Sequence, residues 1–269
     1  MNWSKAKTIL ILFLLMTSIL LSAMLYSSEI NSNHIEPQTI SYAVNLLKEK
    51  GINVNPDLIP TELSSVPVFE AENVVSDYYE FARLVFPDCY QVSDVSFFSN
   101  NGTIGFNGDN FLISYASGID TDKKLKSPSE KAKAYLSTIG IDTSVAKIDT
   151  SNDSKGLFTV TFTNLLEDKL FFDSKISVTL KGEKITLING TWFTKKESLS
   201  SNASLDSAPG LLVKFTAENR VFSNLEISHI ELGYAINEQG VFHKQSSILP
   251  VYQIITTDGR QFYIDARRR

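Results

Sequence analysis

Hydrophobic residues are distributed along this chain in two different ways. From Thr8 to Ser28 they form a run that no charged residue interrupts, whereas after Glu29 they recur at helical or strand spacing among polar residues. An apolar run of about 20 residues can cross ~30 Å of hydrocarbon as an α-helix. The pattern therefore predicts one N-terminal transmembrane helix, followed by a folded polar portion.

The residues that flank this run predict its orientation. Lys5 and Lys7 precede it, and the first charge that follows it is acidic. Because positively charged flanks stay in the cytoplasm, we expect a cytoplasmic foot over residues 1–7, a transmembrane helix over 8–28 and an extracellular bulk. The chain is then expected to be a single-pass protein of the cell membrane. The alternative is a cleaved signal peptide, although residues 21–23 (LSA) match the small-x-small cleavage pattern poorly.

Three residues in and before the run are candidates for contact with a membrane partner. Trp3 suits the cytoplasmic interface, where tryptophan is enriched. Ser18 and Ser22 lie one helical turn apart, and small residues at this spacing let two membrane helices approach closely. We therefore expect Trp3, Ser18 and Ser22 to be partner-binding residues.

After the run, the apolar spacing predicts helices that alternate with antiparallel hairpins. Helices are expected over residues 38–50, 71–86, 128–139 and 208–219, and Ser127 with Glu130 has the pattern of a capping box. Strands are expected around the turns at 101–102 (NG), 181–183 (KGE) and 258–259 (DG). Residues 195–207, rich in Ser, Asn and Lys, are expected to form a surface loop.

This order of elements predicts an α+β fold in which helices pack on antiparallel sheets. We expect two exterior α+β domains, the first over residues 29–122 and the second over 123–269.

Composition and charge narrow the function classes. Hydrophobic residues make up 43% and charged residues 20%, which is typical of a globular protein. The net charge is −5, and since the foot carries +2, the rest of the chain carries −7. This argues against nucleic acid as a partner. The single cysteine, Cys89, excludes an internal disulfide, which suits a Gram-positive cell surface better than an oxidising compartment.

Motifs for catalysis or metal binding are weak in the sequence. The three histidines do not have His-Glu-x-x-His spacing, and no Gly-x-Ser-x-Gly motif occurs. His229 and Glu231 would share one face of a strand, with His243 across from them, which is a conceivable metal site. A polar solvent face is the favoured interpretation, since Ile230 and Leu232 would take the buried face. We expect no catalytic residues, no cofactor, no metal and no small-molecule substrate.

The first nine residues, MNWSKAKTI, resemble the start of the YycI family, whose members commonly begin MDWSKxKTI; Asn2 replaces the usual Asp. Residues 249–254 (LPVYQI), 258–260 (DGR) and 262–264 (FYI) are also similar to the end of that family. This closing part looks like a PepSY-type hairpin as well, a pattern found in exported binding modules.

The resemblance implies regulation without catalysis. YycI-like proteins associate with a WalK (YycG)-type sensor histidine kinase, part of a two-component system that controls cell-wall metabolism. The family contacts the kinase mainly through transmembrane helices, and its exterior pairs with a YycH-type protein. Two other classes stay open: a PepSY-type surface binding module or protease inhibitor, and a cell-wall hydrolase.

Overall fold

The computed structural model describes residues 7, 11–22, 24, 35–62, 65–154, 156–217, 224–236 and 245–268. The first helix, α1, is described over residues 11–22. Four further helices follow at intervals along the chain: α2 (Pro37–Glu49), α3 (Tyr78–Val85), α4 (Pro128–Thr138) and α5 (Ala208–Ala217). The predicted α+β fold is confirmed.

Local sequence explains where these helices begin. The side chain of Asp77 accepts a hydrogen bond from the backbone N–H of Glu80 and caps α3. At the start of α4, Ser127 and Glu130 form the predicted capping box, in which each side chain accepts a hydrogen bond from the other residue's backbone N–H.

Fourteen strands complete the part of the fold that the structure describes. They are β1 (Ile52–Val54), β2 (Val66–Asn73), β3 (Tyr90–Ser93), β4 (Ser96–Ser99), β5 (Gly102–Asn107), β6 (Asn110–Asp120), β7 (Ala146–Asn152), β8 (Leu157–Leu166), β9 (Lys169–Lys181), β10 (Lys184–Thr191), β11 (Phe193–Ala203), β12 (Leu225–Ile236), β13 (Gln245–Thr256) and β14 (Gln261–Asp265).

The strands form one continuous sheet with two parts. Strands β3 to β10 make up the middle sheet, and β1, β2 and β11 to β14 make up the terminal sheet. The pairings between these described strands are antiparallel except for β1 with β12 and β12 with β9. Strand β9 joins the two parts, because it pairs with β8 and β10 and also reaches β12 through Phe171 and Tyr234.

Each part of the sheet has its own hydrophobic core. Helices α3 and α4 pack on the middle sheet, and α2 and α5 pack on the terminal sheet. Trp192 and Phe193 are adjacent in sequence but belong to different cores, the first to the middle core and the second to the terminal core. Successive residues of an extended chain point to opposite sides, so this dipeptide marks the crossover between the cores.

The packing does not follow the predicted division at residue 122. Strand β6, before that residue, pairs along its length with β10, which follows it. The terminal core draws most of its residues from two distant segments, residues 40–71 and residues 193–266. The ranges 29–122 and 123–269 therefore do not correspond to separate cores, because strand pairing links residues that are far apart in sequence.

Two local predictions were wrong. The helix expected over 71–86 begins only at Tyr78, because the residues up to Asn73 belong to β2 and Asp77 supplies the cap. The surface loop expected over 195–207 is largely strand β11, which pairs with β2. Its polar composition is compatible with a strand at the edge of a sheet, where pairing uses backbone groups that every residue carries.

Helix α1 differs from the others in its surface. Every large apolar side chain that the structure describes from Ile11 to Met24 is 58–68% exposed. Among the described residues, no helix combines the length and apolar character that crossing a membrane requires. The transmembrane helix over 8–28 remains a prediction.

Candidate functional site

The predicted partner-binding residues fall on and before helix α1. Ser18 and Ser22 are both helical and exposed, and their spacing places them on one face. Trp3 lies outside the described residues. Around the two serines, Leu14, Leu15 and Leu21 expose 58–61% of their surface. Ser18 and Ser22 therefore form a narrow polar stripe on a helix whose surface is otherwise mostly apolar.

The pair His229 and Glu231 shares one face of β12, as the sequence predicts. His229 Nε2 lies 3.3 Å from Glu231 Oε2, while Ile230 and Leu232 pack on the terminal core. The strand register shifts between Ile227 and His229, which marks a β-bulge or a similar irregularity just before this pair. His243 lies outside the described residues, and the described part of the chain contains no group of metal-binding side chains.

The structure brings this pair into a groove that sequence reasoning missed. The groove has a volume of about 340 Å³ and lies where the middle and terminal sheets meet. One wall comes from β7, β8 and β9 of the middle sheet: Lys147, Asp149, Thr163, Leu170, Phe172 and Lys175. The other comes from β12, β13 and β14 of the terminal sheet: His229, Glu231, Gln253, Ile255, Gln261 and Tyr263.

Strand register explains why these residues meet. Lys147, Thr163 and Lys175 are direct neighbours across three adjacent strands. Because they alternate with residues of the middle core, they lie on the face of the sheet away from helices α3 and α4. A matching row on the terminal sheet contains Glu231, Gln253 and Tyr263. The groove therefore lies between two helix-free sheet faces.

Buried polar contacts hold the two sheets at their junction. The backbone N–H of Phe193 donates a hydrogen bond of 3.0 Å to Ser174 Oγ, and its carbonyl accepts one of 2.8 Å from Asn164 Nδ2. Gly233 allows the close approach of β9, since a Cβ there would lie 2.5 Å from the carbonyl oxygen of Leu170 and from the ring of Phe172. These contacts fix the position of Phe172 at the groove.

The terminal wall carries a small hydrogen-bond network. Gln253 is 8% exposed, and its amide Nε2 donates to Tyr263 Oη at 2.9 Å and to Gln261 Oε1 at 3.4 Å. Burial raises the pKa of the Tyr263 hydroxyl above its ordinary value, so this group stays a neutral donor. Tyr263 also packs against Phe172, with ring centroids 5.6 Å apart.

The single cysteine, Cys89, does not line this groove. Burial raises the pKa of the Cys89 thiol above its ordinary value. Phe171 is buried in the terminal core, whereas its neighbour Phe172 faces the groove. Phe97 is likewise buried, whereas Phe98 is 41% exposed.

Comparisons with known proteins found similar solved structures but no matching sequence. No family model matches the chain, and no curated protein matches it. An uncharacterized protein from Eubacterium rectale has a similar structure, with a TM-score of 0.49 and 11% identity over 85% of this chain and 94% of that one. YycH from Bacillus subtilis is similar with a TM-score of 0.47 and 11% identity over 81% of this chain. The matched part covers 60% of YycH.

Proposed function

We propose that this protein is a non-enzymatic, membrane-anchored accessory protein that modulates a WalK-type sensor histidine kinase. In this proposal α1 belongs to a single transmembrane helix with its N-terminus in the cytoplasm and the α+β portion outside the cell. The exterior portion pairs with a YycH-type protein. The resemblance of residues 1–9 to the YycI family supports the choice of kinase.

The observation that carries the proposal is the surface of α1. Ile11, Leu12, Phe13 and Leu14 are consecutive, and each exposes 58–64% of its surface. Successive residues of a helix are turned by about 100°, so these four cover all its sides. A helix that is apolar all round suits burial in a core or a membrane. The rest of the described chain buries most of its large apolar residues in two cores of its own.

A helix beside the kinase can act only through a difference in affinity. If it binds one arrangement of the kinase helices more tightly than another, it shifts their populations by that difference. Couplings of ~1–3 kcal/mol are typical and correspond to about 5–150-fold changes in an equilibrium constant. The exterior portion would change this coupling when its own partners bind or leave.

The serine stripe gives the proposal a specific test. We expect the double variant Ser18→Leu with Ser22→Leu to reduce association with the kinase by about fivefold or more, because two bulky side chains keep the helices apart. Association is measured with the full-length chain by co-purification in mild detergent and by a membrane two-hybrid assay.

A matched control adds bulk to the opposite side of the same helix. Met16→Phe with Leu20→Phe should leave association near that of the unchanged chain, at equal membrane levels. Full association of the serine variant, or equal loss in both variants, would contradict a contact through the Ser18 and Ser22 face.

A further inference from the structure

We propose that the groove between the middle and terminal sheets binds an uncharged saccharide of one or two sugar rings. This inference goes beyond the proposed regulatory function and does not depend on α1. The groove volume of about 340 Å³ falls at the lower end of the range of roughly 300–1,000 Å³ for small-molecule sites. A ligand of this size would contact both walls at once.

The charges of the groove balance. Lys147 and Lys175 on the middle wall are matched in number by Asp149 and Glu231. Neither lysine forms an ion pair with another residue in the described part of the chain. A ligand with a net charge would therefore meet attraction and repulsion of similar size. A hydroxyl group can donate to a carboxylate and accept from an ammonium group, so an uncharged polyol satisfies both kinds of side chain.

The terminal wall offers hydrogen-bonding groups that are already oriented. Gln253 is largely buried, and its bond to Tyr263 Oη fixes the tyrosine hydroxyl at the groove. Tyr263 Oη in turn donates to Gln261 Oε1 at 3.3 Å. Side chains that are held in place lose little conformational freedom when a ligand binds. Tyr263 and the exposed Gln261 can therefore contact successive hydroxyls of one ring.

Phe172 and Tyr263 add an apolar surface to this polar site. Their rings are inclined at 48° to each other. The ring of Phe172 packs so closely on Gly233 that a Cβ added at Gly233 would not fit. Tyr263 remains 38% exposed. A sugar ring carries C–H groups on its flat faces and hydroxyls at its rim, so it can cover an aromatic ring and form hydrogen bonds at the same time.

An extended peptide fits this groove less well. Peptides that bind by strand addition need the unpaired backbone edge of a sheet. Both walls of the groove are sheet faces, and on a face only side chains project toward a ligand. A hydroxyl-rich ligand can use these side-chain donors and acceptors without an unpaired strand edge.

Saturation-transfer NMR with the full-length chain in lipid nanodiscs tests this proposal. Nanodiscs are required because maltoside detergents carry a sugar that would compete. The probes are cellobiose and N,N′-diacetylchitobiose, with glucuronic acid and the dipeptide Ala-Glu for comparison. We expect saturable binding of at least one neutral disaccharide, with a roughly millimolar or tighter dissociation constant, and weaker binding of both charged compounds.

Substitutions then locate the binding in the groove. Tyr263→Ala and Gln261→Ala should each weaken binding of the disaccharide by roughly tenfold, whereas Tyr90→Ala, which removes an exposed tyrosine from β3, should not change it. Circular dichroism confirms that each variant is folded, and Gln261, exposed at the surface, can be replaced without a core cavity. Absence of saturable binding, tighter binding of a charged probe, or unchanged binding by both groove variants would overturn the proposal. None of these results depends on the kinase, so they leave the regulatory proposal to its own test.

Discussion

Replacing Gly190 with alanine is expected to lower the free energy of unfolding by about 2–6 kcal/mol. Gly190 lies in β10 with φ 147°, a conformation that side chains disfavour. A Cβ at this position would lie 2.1 Å from the carbonyl oxygen of Lys175 and 2.7 Å from the Cα of Ile176. Both atoms belong to the backbone of β9, so the strand that joins the two sheets would have to move.

Gly182→Ala is the matched control for this substitution. Gly182 also has a positive φ, 60°, but no atom lies within 4 Å of the Cβ that alanine would add. Only backbone strain remains, so we expect a loss of about 1 kcal/mol. Urea denaturation of the full-length chain in nanodiscs measures both values. Equal losses for the two variants would show that the close approach of β9 and β10 does not contribute to the effect of Gly190→Ala.

The second large effect is expected at the crossover between the cores. Trp192→Ala and Phe193→Ala should each lower the free energy of unfolding by about 3–5 kcal/mol, because each removes a large side chain that is at most 1% exposed. The two residues belong to different cores, yet one sheet runs through both. We therefore expect both variants to lower the midpoint of one common unfolding transition.

Two spectroscopic probes distinguish a common transition from separate ones. Far-ultraviolet circular dichroism follows all strands, and hydrogen exchange follows the amides of each core individually. Tyr90→Ala serves as a control because Tyr90 is 62% exposed and belongs to neither core. If Trp192→Ala destabilised only the middle core and Phe193→Ala only the terminal core, the two parts of the sheet would be independent folding units.

The elements predicted best are those that local side chains specify. The capping box of Ser127 and Glu130 starts α4 through contacts within four residues, and Asp258-Gly259 connects β13 to β14. The alternation around His229 and Glu231 also assigns the correct faces, because a strand has a period of two residues.

The features that were missed depend on pairing between distant segments. Strand β11 is polar and lacks a hydrophobic period, and only its pairing with β2 makes it a strand. The groove combines side chains from Lys147 to Tyr263 on six strands, and the sequence does not encode their register in any local pattern. The division at residue 122 does not match the cores for the same reason, since β6 and β10 pair across it.

Helix α1 and the groove have different roles in the two proposals. The helix would carry the contact with the kinase, and the groove would let the exterior portion respond to a ligand. The stripe of Ser18 and Ser22 specifies which side of α1 is expected to face the kinase. The sequence motif of residues 1–9 adjoins this helix, so one of the two segments that resemble the YycI family lies beside the proposed regulatory contact.

The most direct measurement is kinase autophosphorylation in liposomes that contain a WalK-type kinase and the full-length chain. We expect the native chain to change kinase output by about fivefold or more. A chain whose residues 8–28 are replaced by an unrelated apolar span should have no effect, although it inserts to the same level. If the replaced chain changed kinase output as much as the native chain, the proposed contact through the membrane helix would be wrong.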